Sequence, residues 1–145
     1  MLVDFAKKMK IKTVAVYSDA DRAAEHVNLA DEAVYLGGSA ASESYLRADL
    51  IIKACKEKKC DALHPGYGFL SENADFAKKV VEAGIVWVGP KVEHIERFGR
   101  KDEARRICEE VGVPLTQGSP VLANVEEAVA WTEKVGGLPV ILKPA

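Results

Sequence analysis

Apolar and polar positions along this chain switch repeatedly between a strand period and a helix period. Short runs rich in β-branched and aliphatic residues lie at 11–17, 33–36, 62–64 and 85–88. Between them, apolar residues recur every three to four positions, the mark of helices with one buried face. From Ser44, the residues Leu46, Leu50, Ile51, Ala54 and Cys55 form one such stripe. Across 73–83, Phe76, Ala77, Val80 and Val81 are predicted to face inward and Lys78 and Lys79 outward, with Gly84 as the stop. The run 85–88 is almost wholly apolar, as expected of a strand covered on both faces. Residues 91–98 predict a short helix with Val92, Ile95 and Phe98 on one side. A further helix is predicted over 101–111, where Ala104, Ile107, Cys108 and Val111 share a face before Gly112 and Pro114 end it. Gln117-Gly118-Ser119-Pro120 reads as a turn-rich linker. Asn124 is a candidate N-cap, Glu126 and Glu127 suit the helix start, and Ala128, Val129 and Thr132 give the inner face. Gly136-Gly137 stops that helix, and 139–142 predicts a closing strand. Strand and helix alternate throughout, so the predicted class is α/β, a parallel sheet with helices on both faces.

Composition narrows the function classes. The 145 residues suit one domain, and 48% hydrophobic with 29% charged residues is ordinary for a globular chain. A net charge of −2 implies no broad basic surface for nucleic acid. No apolar run approaches the ~20 residues of a membrane span, and Asp4 interrupts any leader-like start. Cys55, Cys60 and Cys108 are odd in number and lack Cys-x-x-Cys spacing, which predicts reduced thiols in a cytoplasmic protein. His26, His64 and His94 are scattered and suggest no metal centre.

The densest chemistry lies in His64-Pro65-Gly66-Tyr67-Gly68-Phe69-Leu70-Ser71-Glu72-Asn73, between a predicted strand and a predicted helix. Open α/β sheets place ligands at such strand ends. These ten residues resemble the signature of the biotin carboxylase family. The segments 11–22 and 29–33, Ser44-Tyr45-Leu46, and the segments 84–90, 112–114 and 138–143 are also similar to that family, in its order. The resemblance implies a Rossmann-like preATP-grasp domain over 1–115 that lacks its first strand. Over 116–145 it implies the truncated start of an ATP-grasp domain. It further implies an ATP-dependent ligase that carboxylates biotin with bicarbonate within an acyl-CoA, pyruvate or urea carboxylase. ATP and biotin, with Mg2+, would be the cofactors of the intact parent. A biotinylated carrier protein or domain and a carboxyltransferase would be its partners, and homodimers occur in some members.

By the same resemblance, Lys101 and Lys143 match lysines that contact ATP, and Tyr67 and Gly68 face the biotin ureido ring. A tyrosine offers a flat apolar face and a hydroxyl to a urea-like ring. Each residue has a plainer reading beside this one. Lys143 reads otherwise as a snorkelling lysine at a chain end, and Lys101 as part of a charged helix start. Arg100 stands where the family pattern Gly-Asp-Lys has an acid. Glu72 fits the first turn of the following helix better than an active-site edge, and His64 fits a backbone hydrogen bond at the strand end. Residues 1–9 read as the tail of the family's first helix, and the chain stops at Pro144-Ala145, before the glycine-rich loop and metal-binding acids. The expectation is a fragment, inactive by itself and binding none of these cofactors alone, with unpaired strand edges and exposed apolar surface. The alternative is a non-catalytic structural or interaction module of the same fold. No Gly-x-x-x-x-Gly-Lys-Ser/Thr loop or Gly-x-Ser-x-Gly elbow is present, and Gly66-x-Gly68-x-x-Ser71 lacks the third glycine of a dinucleotide fingerprint. Carbamoyl-phosphate synthetases share the implied architecture but lack the ten-residue run.

Overall fold

The computed structural model describes residues 2–143; Met1, Pro144 and Ala145 lie outside the described residues. Internal contacts divide the chain into two compact units, Met1–Val92 and Glu93–Ala145. The boundary expected at 115/116 falls inside the second of these.

In the first unit, helix α1 (Leu2–Lys8) precedes strand β1 (Val14–Ser18), which pairs in parallel with β2 (Glu32–Gly37). The short helix α2 (Glu25–Leu29) makes the crossover between them. Asp31 pins the start of this pair, because its carboxylate accepts from the Thr13 N–H at 2.7 Å and the Thr13 hydroxyl at 2.9 Å. Helix α3 (Ala48–Glu57) leads to β3 (Ala62–Leu63), and α4 (Ala74–Glu82) leads to β4 (Val86–Trp87), which pairs in parallel with β3. Parallel pairs joined by helices are the α/β class the pattern predicts.

The core sits between α3, α4 and the β3–β4 pair. Leu63, Phe76, Val80 and Ile85 are buried together, with Ile51, Ile52, Leu70 and Trp87 packed against them. Phe76 meets Trp87 edge-on, ring centroids 5.7 Å apart, the arrangement that aligns a positive ring edge with a negative face.

Three expectations are corrected here. Among the described residues the strands form two separate two-stranded sheets and not one. On β1, the Val16 carbonyl and the Ser18 N–H are met by the side chains of His26 (3.3 Å) and Tyr45 (3.1 Å) where a sheet interior would supply a strand. Second, Val81 is 56% exposed, and Val86 and Val88 are exposed as well. A two-stranded ribbon with α4 on it buries a narrower arc than a full sheet would. Third, the helix predicted from Ser44 begins at Ala48. A 3-10 turn at Ala41–Glu43 and the non-helical backbone of Ser44 (φ −141°, ψ −91°) precede it, so Leu46 leaves the stripe and is exposed.

Helix α5 (Val92–Gly99) starts at the last residue of the first unit, and α6 (Lys101–Glu110) and α7 (Val125–Lys134) lie in the second; all three follow the predicted spans closely. Asn124 caps α7 as expected, its side-chain oxygen accepting from the Glu127 N–H at 2.8 Å. The closing strand predicted at 139–142 does not form. A strand exists through its ladder, and no strand partner is present among the described residues of this unit; Leu138 is 80% and Ile141 83% exposed. No described residue of the second unit is buried.

This exposed apolar surface has a measurable consequence. The isolated chain is expected to bind an apolar fluorescent dye and to run on gel filtration as associated species. A compact monomer with a sharp cooperative melt and no dye binding would contradict this account of its surface.

Candidate functional site

The ten-residue loop leaves β3 at Leu63 and is shaped by local hydrogen bonds. His64 Nδ1 accepts from the Gly66 N–H at 3.0 Å, the backbone role expected of that histidine. Gly66 has φ 72°, and Gly68 has φ 79° with ψ −167°, a region open essentially to glycine alone. A Cβ at either position would meet nothing within 4 Å, so conformation and not space demands glycine there. Phe69, at φ 46°, holds a left-handed conformation despite its side chain. A 3-10 turn at Phe69–Glu72 follows, and Asn73 caps α4 by accepting from the Phe76 N–H at 2.8 Å. Glu72 therefore ends the 3-10 turn, and Asp75 is the acid in the first turn of α4. This corrects the helix-start role expected of Glu72.

The result is an outward-facing loop over an open depression of about 180 Å³, lined by Tyr67, Gly68, Phe69, Ser71 and Glu72. Tyr67 is 99% exposed, so its ring and hydroxyl are open to solvent. The sequence-predicted pair Tyr67 and Gly68 thus lies together on one face of one loop.

A residue outside the predicted set holds this loop. The Tyr45 ring stacks on Phe69, with centroids 5.1 Å apart and planes inclined at 25°. Its hydroxyl donates to the Asp21 carboxylate and accepts from the Ser18 N–H at 3.1 Å. Asp21 also accepts from the Ser18 hydroxyl at 3.0 Å. Tyr45 therefore ties the loop after β3 to the end of β1. Ser44 beside it is fully buried and donates to the Ala40 carbonyl at 2.9 Å, fixing the segment that carries the tyrosine. Ser44-Tyr45-Leu46 stood out in the sequence only as a matching triplet; contacts across 24 residues leave no local pattern.

Charge follows from these bonds. The Tyr45 and Ser18 hydroxyls hold the Asp21 carboxyl below the usual carboxylate range. Burial, and then the Asp21 bond, push the Tyr45 phenol up, so it remains a donor at any ordinary pH. The Arg22 guanidinium and then the Tyr35 hydroxyl likewise lower Asp19, and the Thr13 donors lower Asp31. A carboxyl whose folded pKa lies below its unfolded one stabilises the fold above the carboxylate range. That contribution is lost as pH falls through the lowered folded value. Asp21→Asn should thus flatten the acid limb of a melting-temperature profile without moving its neutral plateau upward. An acid limb parallel to that of the unaltered chain would show that Asp21 carries no such linkage.

Lys101 and Lys143 belong to the second unit. Lys101 opens α6 and is exposed; its neighbour Arg100, in place of the family's acid, pairs with Asp102 at 2.9 Å. Lys143 lies exposed in the stretch without regular secondary structure after Pro139. Cys55, Cys60 and Cys108 are free thiols. Among the described residues no group of three or more metal-ligating side chains occurs. No described helix is long and apolar enough to cross a membrane.

Residues 2–95 match the family model of the biotin carboxylase N-terminal domain, and the chain belongs to that family. It is 49% identical over 142 residues to the urea amidolyase of Lachancea kluyveri, covering 98% of this chain and 8% of that protein. It is also 49% identical over 143 residues to the biotin carboxylase of Halalkalibacterium halodurans, covering 98% of this chain and 31% of that one. Among solved structures, it resembles the biotin carboxylase domain dimer of the 2-oxoglutarate carboxylase of Hydrogenobacter thermophilus. That structure is in complex with magnesium ADP, ADP and bicarbonate. The TM-score is 0.84 at 38% identity, over 93% of this chain and 30% of that one. The chain thus spans under a third of the length of these curated relatives.

Proposed function

We propose that the chain supplies the biotin-side part of an ATP-dependent biotin carboxylase, the component that carboxylates biotin with bicarbonate in an acyl-CoA or related carboxylase. The observation that carries this reading is the loop after β3. It places a wholly exposed tyrosine next to a glycine-only backbone conformation, at the C-terminal end of a parallel strand. An open depression beside a flat aromatic face suits a planar urea ring. In this reading Tyr67 and Gly68 face biotin, while Lys101 and Lys143 meet ATP phosphate in the intact parent. Lys101 at the start of α6 adds a full charge to the positive helix end, where an anion is favoured. A biotinylated carrier, a carboxyltransferase, a second copy of the chain and a cytoplasmic setting belong to the same proposal. The absence of any buried described residue in the second unit favours a second reading, a non-catalytic module that docks on a partner.

Phosphate release separates the two. The chain alone is expected to show no bicarbonate-dependent ATP hydrolysis, because its described residues gather no cluster of three metal-ligating side chains to neutralise the phosphates. Within a protein of the relatives' full length it should support release that requires biotin and bicarbonate together. A full-length protein without such release would favour the docking module. Turnover by the chain alone, abolished by Lys143→Ala, would overturn the division of labour proposed here.

A further inference from the structure

Helix α3 ends in a turn that brings two thiols together. The Cys60 N–H donates to the Cys55 carbonyl at 2.8 Å, and the Lys59 N–H donates to the Lys56 carbonyl at 3.2 Å, with Lys59 left-handed at φ 53°. This is the Schellman arrangement, in which the residues three before and two after the helix cap set their side chains against each other. Here those two residues are Cys55 and Cys60. The hydrogen bond also limits their separation. With about 2.4 Å from a Cα to its carbonyl oxygen and about 1.5 Å from N to Cα, a 2.8 Å bond keeps the two Cα atoms within about 6.7 Å. Disulfides span roughly 4.4–6.8 Å between Cα atoms. Both thiols are free and half-buried.

We propose that Cys55 and Cys60 form a dithiol site that closes to an intramolecular disulfide under hydrogen peroxide and reopens with thiol reductant. Burial, with Cys60 as the second cause, pushes the Cys55 thiol up to about 11, so Cys60 is the first nucleophile. The Cys60 thiolate attacks peroxide, the O–O bond breaks, and hydroxide leaves to give a sulfenic acid. The Cys55 sulfur then displaces hydroxide from that sulfenic sulfur, and its proton leaves with it as water. One peroxide is reduced to two waters, and the two sulfurs are oxidised by two electrons. The bridge would lock the turn that delivers the chain into β3, two residues before Ala62. It stands on this geometry alone and not on the carboxylase reading.

The test uses the 145-residue chain carrying Cys108→Ala, treated with hydrogen peroxide. Intact mass should fall by two hydrogens, iodoacetamide should label neither cysteine, and dithiothreitol should restore both. Adding Cys55→Ser or Cys60→Ser should abolish the mass loss while helix content by circular dichroism stays as it was. Oxygen addition at Cys60 with Cys55 still alkylatable would overturn the proposal, as would bridged dimers without the intramolecular product. A Cys55→Ser chain that had lost its helix content would remove that control; peptide mapping of the bridge in the Cys108→Ala chain decides the matter by itself.

Discussion

Phe76→Ala is expected to destabilise the first unit by about 3–5 kcal/mol, the range for removing a large aromatic from a core that cannot collapse around the void. Phe76 is 2% exposed, lies in the cluster of Leu63, Val80 and Ile85, and presents its ring edge-on to Trp87. Replacing it removes the largest side chain from a cluster against which residues of α3 and β4 also pack. Small domains hold only about 5–15 kcal/mol in total, so the variant should be largely unfolded at room temperature or close to it. Val81→Ala, one helical position beyond Val80 and 56% exposed, should cost no more than about 0.5 kcal/mol. Urea titration followed by tryptophan emission gives both numbers, since Trp87 reports on this cluster. Equal losses at the two positions would mean that α4 buries the wider arc that its sequence suggested.

That contrast shows what the sequence made legible. Helix α4 was readable because its period and its Asn73 cap are local properties. The extent of its buried face was not, because this depends on how wide a sheet lies beneath. The apolar run at 85–88 predicts a strand covered on both sides, yet Val86 is exposed, and among the described residues β4 pairs with β3 alone. The run at 139–142 has strand composition and no partner among the described residues, so it forms no ladder. At the candidate site, the glycines and Asn73 announced the loop. Tyr45, which anchors that loop through Phe69, Asp21 and Ser18, could not be found by period or motif, since each of those contacts spans more than 20 residues.

The second large effect concerns Tyr67. In a protein of the relatives' full length, Tyr67→Ala should lower kcat/KM for free biotin about five- to two-hundred-fold. That corresponds to losing an aromatic contact and one hydrogen bond worth about 1–3 kcal/mol. Its exposure makes the residue a clean probe. Tyr67 is 99% exposed, so the 145-residue chain carrying Tyr67→Ala should melt as the unaltered chain does. Tyr67→Phe keeps the ring and loses only the hydroxyl, and should recover part of the biotin term.

In the proposed function this loop faces biotin and not nucleotide. Steady-state kinetics of Tyr67→Ala, with biotin and ATP each varied in turn, measure that claim directly. The expected result is a fall in kcat/KM for biotin with the value for ATP nearly unchanged, because an uncharged ring offers nothing to phosphate. An equal fall in both values would contradict it.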